Sequence, residues 1–127
     1  SNYWKKKKIV EIWGNGKAKR EFIYVDDVAR SIKKFMFSKK LTSNNIFWLN
    51  IGTGVDLKIS TIAEKIAKEI NFNGKFFYNK RKPNGAKSKL LNIKLSNKLG
   101  FKPKVSFSSG IKKTINWYLK NFITTLN

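Results

Sequence analysis

A mixed α/β fold of short strands and about four helices is what this sequence predicts, and three features predict it. Apolar residues alternate along the chain between short β-branched runs and stretches with helical spacing. The turn signals Gly14-Asn15-Gly16, Gly52-Thr53-Gly54 and Pro83-Asn84-Gly85 punctuate those runs. The 127 residues are 41% hydrophobic and 14% aromatic, enough for one packed core. No internal repeat, heptad run or low-complexity linker divides the chain, so residues 1–127 read as a single domain.

Ile9 to Trp13 (IVEIW) is short, β-branched and closed by Gly14-Asn15-Gly16, which predicts a strand. Phe22 to Val25 is a second short apolar run leading into Asp26-Asp27, whose carboxylates suit the start of a helix. Val28, Ile32, Phe35 and Met36 then recur at helical spacing, predicting a helix over about 26–38. Ile46 to Ile51 (IFWLNI) is continuously apolar but for Asn50 and ends at Gly52, the pattern of a buried strand. The stripe Ile59, Ile62, Ala63, Ile66, Ala67, Ile70 predicts the next helix, capped by Asp56 or a neighbour, or by the Thr61–Glu64 capping-box pair.

Residues 75–78 (KFFY) suggest a further short strand, and 79–89 (NKRKPNGAKSK) form the main loop. A short helix around Ile93–Leu99 is placed to end at Gly100. Ile111, Ile115, Tyr118, Leu119 and Phe122 share one face of a last helix, led in by Ser108-Ser109.

Composition excludes several kinds of chemistry. The chain has no cysteine and no histidine, which removes disulfides, thiolate nucleophiles, the usual zinc sites and imidazole acid/base catalysis. No apolar run reaches the roughly 20 residues of a membrane span, and SNYWKKKK lacks the apolar stretch of a secretory signal. The cytoplasm is the expected compartment. A net charge of +21 attracts polyanions, so a small lysine-rich nucleic-acid-binding module is the alternative function. Against it, arginine occurs only at positions 20, 30 and 81, and base-edge readers favour the guanidinium fork. The lysines are dispersed along predicted helix faces, as on a solvated surface.

No catalytic set is visible. Gly14-Asn15-Gly16 lacks the third glycine and the following helix of a dinucleotide loop, and reads as a turn. Asp26-Asp27 reads as helix-capping rather than as an acid/base dyad, and Asp56, Glu64 and Glu69 show no metal-ligand grouping.

Two segments together resemble a family. Trp13-Gly14-Asn15-Gly16 followed by Arg20-Glu21-Phe22-Ile23-Tyr24-Val25-Asp26-Asp27-Val28-Ala29 is similar to the stretch that opens the substrate domain of extended short-chain dehydrogenases/reductases. Leu49-Asn50-Ile51-Gly52-Thr53-Gly54 resembles the next strand and turn of that superfamily. Lys82-Pro83-Asn84-Gly85-Ala86-Lys87-Ser88-Lys89-Leu90-Leu91-Asn92 resembles the K-P-D-G-x-x-x-K-L-L-D loop of GDP-L-fucose synthases. Leu99-Gly100-Phe101 through Trp117-Tyr118-Leu119 matches that family's closing helices.

The resemblance implies a single C-terminal substrate-binding domain, a piece of a larger enzyme whose own N-terminal Rossmann domain would hold NADP(H) and the Ser-Tyr-Lys catalytic set. The parent would epimerise carbons three and five of GDP-4-keto-6-deoxymannose and reduce carbon four; the domain alone would bind the GDP-hexose without catalysing and without holding the cofactor. The substrate domain of another sugar-nucleotide epimerase or dehydratase is a further alternative. Trp13, Arg20, Asn84 and Lys89, with Lys75, fall on positions that contact the nucleotide sugar by resemblance. Asn84 and Asn92 replace family aspartates, Ala86 a threonine and Ser88 an arginine, which opens the way to a related substrate such as a heptose nucleotide sugar. Apolar surface left bare by the missing partner domain would favour a homodimer.

Overall fold

The computed structural model describes residues 8–43 and 45–123. The amino-terminal stretch weighed as a signal lies, for its first seven residues, outside them. In chain order the elements are β1 (Ile9–Trp13), β2 (Lys19–Glu21), α1 (Val25–Met36), α2 (Lys39–Ser43), β3 (Asp56–Lys58), α3 (Ile59–Glu69), β4 (Lys75–Asn79), β5 (Ser88–Lys89), α4 (Lys94–Lys98) and α5 (Phe107–Tyr118), with a π-helical turn over Leu119–Ile123. The predicted α/β class holds, with one helix, α2, that no apolar stripe announces.

Two small sheets organise the chain. β1 and β4 run parallel in the register Ile9↔Lys75 to Trp13↔Asn79. β2 is the centre of the second sheet, antiparallel to β3 (Arg20↔Leu57) and parallel to β5 (Arg20↔Lys89). The Gly14–Gly16 turn, with φ of +75° and +70° at its glycines, joins the sheets. Its Gly16 carbonyl accepts from Ser60 N–H at the start of α3. Ile12, Ala18, Ile62 and Phe101 are buried, and Phe35 packs against Phe101 at 6.2 Å. Phe22 meets Phe107 edge-on at 5.9 Å, linking the β2 exit to α5.

Several local expectations are corrected. Ile46–Ile51 is not a buried strand: it has no strand partner among the described residues, and Phe47 and Trp48 are 84% and 82% exposed. Continuous apolarity does not by itself make a strand, which also needs a pairing partner for its backbone N–H and C=O groups. The apolar run Phe22 to Val25 follows β2 (Lys19–Glu21) and leads into α1, whose first residue is Val25.

Asp26-Asp27 sits in the first turn of α1, but neither side chain caps it; Tyr24 occupies the N-cap. Asp27, 1% exposed, instead accepts from the N–H groups of Lys104 and Val105, both at 2.9 Å, and pairs with Arg30. α3 starts behind Lys58 with no side-chain cap, so neither Asp56 nor Thr61 serves; Asp56 accepts from the Ser88 hydroxyl at 2.5 Å and lies 3.5 Å from Lys19 Nζ. Ser106, not Ser108-Ser109, caps α5, accepting from Ser109 N–H at 3.2 Å. Gly100 does end the short helix, at φ +82°.

Candidate functional site

The strand pairing carries the far-apart sequence motifs to one place. β1 delivers Trp13 to the sheet edge opposite Asn79, where the long 80–87 loop leaves β4. Asn79 accepts from Gly14 N–H at 2.9 Å, so the turn after β1 and the base of the loop are tied by backbone. Trp13 is 61% exposed, and Lys82 Nζ stands 5.2 Å from its ring centroid.

Asn84 locks the loop tip onto the turn. Its Oδ1 accepts from Asn15 N–H at 2.7 Å. The fit requires Gly14: a Cβ there would come within 2.9 Å of Asn84 Cα. The loop then runs alongside β2. Arg20 Nη1 donates to the carbonyl of Ala86 at 2.8 Å and to that of Lys19 at 2.5 Å, and Lys19 N–H donates to Lys87 C=O at 2.9 Å. Lys89 follows as the register partner of Arg20.

Trp13, Arg20, Asn84 and Lys89 therefore lie around one loop. Lys75 is not among them. It pairs with Ile9 at the opposite end of β1 and β4, four residues from Asn79, which is about 13 Å of strand. Lys89 also lines a cavity of about 310 Å³ with Glu21, Ile23, Ile51, Gly52, Leu90 and Leu91.

Glu21 is the residue that sequence reasoning missed. Oε1 accepts from Thr53 N–H at 2.5 Å and Gly54 N–H at 2.6 Å, with the Thr53 hydroxyl at 3.2 Å; Oε2 accepts from Leu91 N–H at 2.9 Å. One carboxylate thus joins β2, the Gly52–Gly54 turn and the strand-end after Lys89. Burial pushes its pKa up, but the N–H groups of Leu91, Gly54 and Thr53 and the Thr53 hydroxyl outweigh burial and hold it below the ordinary 4.5. Gly52 is needed for this approach, since a Cβ there would meet Oε1 at 2.5 Å. Nothing local in the sequence couples residue 21 to residues 53 and 91; only the turn's surplus of unpaired N–H groups hints at a missing acceptor.

Among the described residues no three His, Cys, Asp or Glu side chains gather as a metal site, and no helix is long and apolar enough to cross a membrane. The arrangement is an indole, a guanidinium and ammonium groups around a hydrogen-bonded loop.

The model of the NAD dependent epimerase/dehydratase family matches residues 2–52. The chain is 34% identical over 117 residues to the GDP-L-fucose synthase of Escherichia coli, covering 88% of this chain and 36% of that protein. It is 39% identical over 110 residues to the GDP-L-colitose synthase of Yersinia pseudotuberculosis, covering 87% of this chain and 35% of that protein. Among solved structures it superposes on a GDP-D-glycero-L-gluco-heptose synthase of Campylobacter jejuni, solved in the presence of NADPH, with a TM-score of 0.76 at 33% identity, over 87% of this chain and 33% of the other. These likenesses lend no support to a small nucleic-acid-binding module. The chain spans about a third of the length of the curated relatives it matches. The chain is thus similar over residues 2–52 to the NAD dependent epimerase/dehydratase family, and along most of its length to about a third of these sugar-nucleotide synthases.

Proposed function

We propose that this chain is the nucleotide-sugar-binding domain, C-terminal in its parent, of an NADPH-dependent 3,5-epimerase/4-reductase acting on GDP-4-keto-6-deoxymannose or a closely related GDP-sugar. The observation that carries the reading is the gathering of Trp13, Arg20, Asn84 and Lys89 on one loop. The chemistry suits the ligand. A diphosphate is held by guanidinium and ammonium donors, and a purine by an aromatic wall such as exposed Trp13. That the relatives are synthases of GDP-L-fucose, GDP-L-colitose and a GDP-heptose supports the same substrate class.

NADP(H) is assigned to the parent and not to these residues. Gly14–Gly16 leads into β2 rather than a helix N-terminus, so it makes no pyrophosphate cradle, and no hydride step is derived through this chain. Exposed Phe47 and Trp48, and the small set of buried apolar residues, are in keeping with a domain that packs against further protein.

Two experiments test the proposal. The reading frame upstream of Ser1 should encode a Rossmann half with a glycine-rich loop and Tyr-x-x-x-Lys; a stop codon immediately before it would end the parent-enzyme idea. In the full-length parent, Arg20→Ala should raise KM for the GDP-sugar by about tenfold or more, the loss of one charge-assisted contact. An unchanged KM would remove Arg20 from the site.

A further inference from the structure

A second cationic concavity lies outside the loop site and shares no residue with it. Arg30 and Lys34, one turn apart on α1, face Gly100, Phe101, Lys102 and Lys104 across a cleft of about 450 Å³. Phe101, 2% exposed, supplies its apolar base. The Arg30 guanidinium is fixed there by three contacts: the Asp27 carboxylate, the Lys102 carbonyl at 3.5 Å, and the Phe101 ring with its centroid at 5.7 Å. Gly100 lies beside Lys34: a Cβ there would make only ordinary contact with Lys34 Nζ, at 3.6 Å.

The charge balance in this cleft is one-sided. Four cations line it, and the carboxylate that reaches it, Asp27, is already spent on Arg30 and on the N–H groups of Lys104 and Val105. Lys34, Lys102 and Lys104 are exposed and have no carboxylate within salt-bridge distance among the described residues. Ammonium groups held around one concavity repel each other and are relieved by a multivalent anion, for which mobile lysines offer several donors to phosphate oxygens.

We propose that this cleft is a binding site for a small phosphate-bearing anion of the diphosphate class, separate from the nucleotide-sugar loop. A nucleic-acid backbone fits less well. Single-strand binding needs exposed rings to stack bases, and the aromatic residue here is buried. The inference does not depend on the function proposed above.

The test is titration of the protein with inorganic pyrophosphate in 150 mM salt, where the Debye length of about 8 Å suppresses diffuse attraction. Saturable binding with amide shifts concentrated at residues 100–105 is expected. Lys34→Ala with Lys102→Ala should weaken it by about tenfold, whereas the equally charge-reducing Lys58→Ala with Lys94→Ala should change it by less than about twofold. All four lysines are exposed, so both pairs should keep the parent circular dichroism. Equal weakening by the two pairs would overturn the site in favour of general surface charge, as would non-saturable binding. Loss of pyrophosphate binding in Arg20→Ala would place the anion at the loop instead. A single-stranded oligonucleotide binding more tightly than pyrophosphate per phosphate would replace the small anion by nucleic acid.

Discussion

Glu21 offers the sharpest perturbation, because one side chain closes three separate segments. Glu21→Ala strips acceptors from the N–H groups of Thr53, Gly54 and Leu91 and from the Thr53 hydroxyl. Hydrogen bonds to a charged partner contribute about 1.5–3 kcal/mol each on deletion. The three N–H groups lie near the surface and regain water, so the net loss should be about 2–4 kcal/mol rather than the full sum. With a urea m-value of about 2 kcal/mol/M, that lowers the denaturation midpoint by roughly 1–2 M. Urea unfolding followed by circular dichroism measures it, and a shift below about 0.5 M at pH 7 would refute the role given to Glu21.

The pH dependence sharpens the test. The folded-state pKa of Glu21 lies below its ordinary 4.5, so between those two values the unfolded chain binds more protons than the folded one. Its stabilisation is complete above 4.5 and disappears as pH falls through the folded value. The gap between wild type and Glu21→Ala should therefore close on acidification; a gap unchanged from pH 7 to pH 3 would contradict a carboxylate-based link. Glu21→Gln separates the arms: one amide oxygen can still accept from Thr53 and Gly54, while the NH₂ faces Leu91 N–H as a second donor. Hydrogen exchange should then show Leu91 losing protection while Thr53 and Gly54 keep theirs.

Two further outcomes follow from the same geometry. Asp27→Ala orphans two N–H groups and leaves Arg30 without its partner, so thermal unfolding at pH 7 should show a loss of about 3 kcal/mol or more. Burial raises the Asp27 pKa, but Val105 N–H, Arg30 and Lys104 N–H bring it below 3.8; the loss should therefore be full above that pH and fade below it. Asn84→Asp keeps an oxygen on Asn15 N–H and should leave stability within about 0.5 kcal/mol, whereas Asn84→Ala should cost about 1 kcal/mol by urea titration. Equal effects of the two changes would mean that the Asn84 oxygen does not hold the loop.

What the sequence made legible was local or carried by motif. The stripe from Ile59 to Ile70 and the β-branched run Ile9–Trp13 declare their elements because periodicity and turn residues act over a few positions. The common location of Trp13, Arg20, Asn84 and Lys89 was legible only because two motifs were read together. Their parallel pairings, β1 with β4 and β2 with β5, span some 66 to 69 positions and have no local signature. For the same reason Asp26-Asp27 misled. An acidic pair at a helix start looks like a cap, and only the folded chain reveals that residues 104 and 105 arrive there with free N–H groups.

The Ile46–Ile51 segment marks the limit of local reading from the other side. Its composition is that of a strand covered on both faces, yet Phe47 and Trp48 stand in solvent while the flanking Ile46, Leu49 and Ile51 are half-buried. Burying two such aromatic side chains contributes several kcal/mol, on the order of 25 cal/mol per Å² of apolar surface. A neighbour that covers these side chains would account for the pattern. Under the proposed function that neighbour is the cofactor-binding half of the parent. Under the same proposal the 79–89 loop, with Trp13 and Arg20 beside it, would present one wall of a site whose other wall the rest of the enzyme would supply.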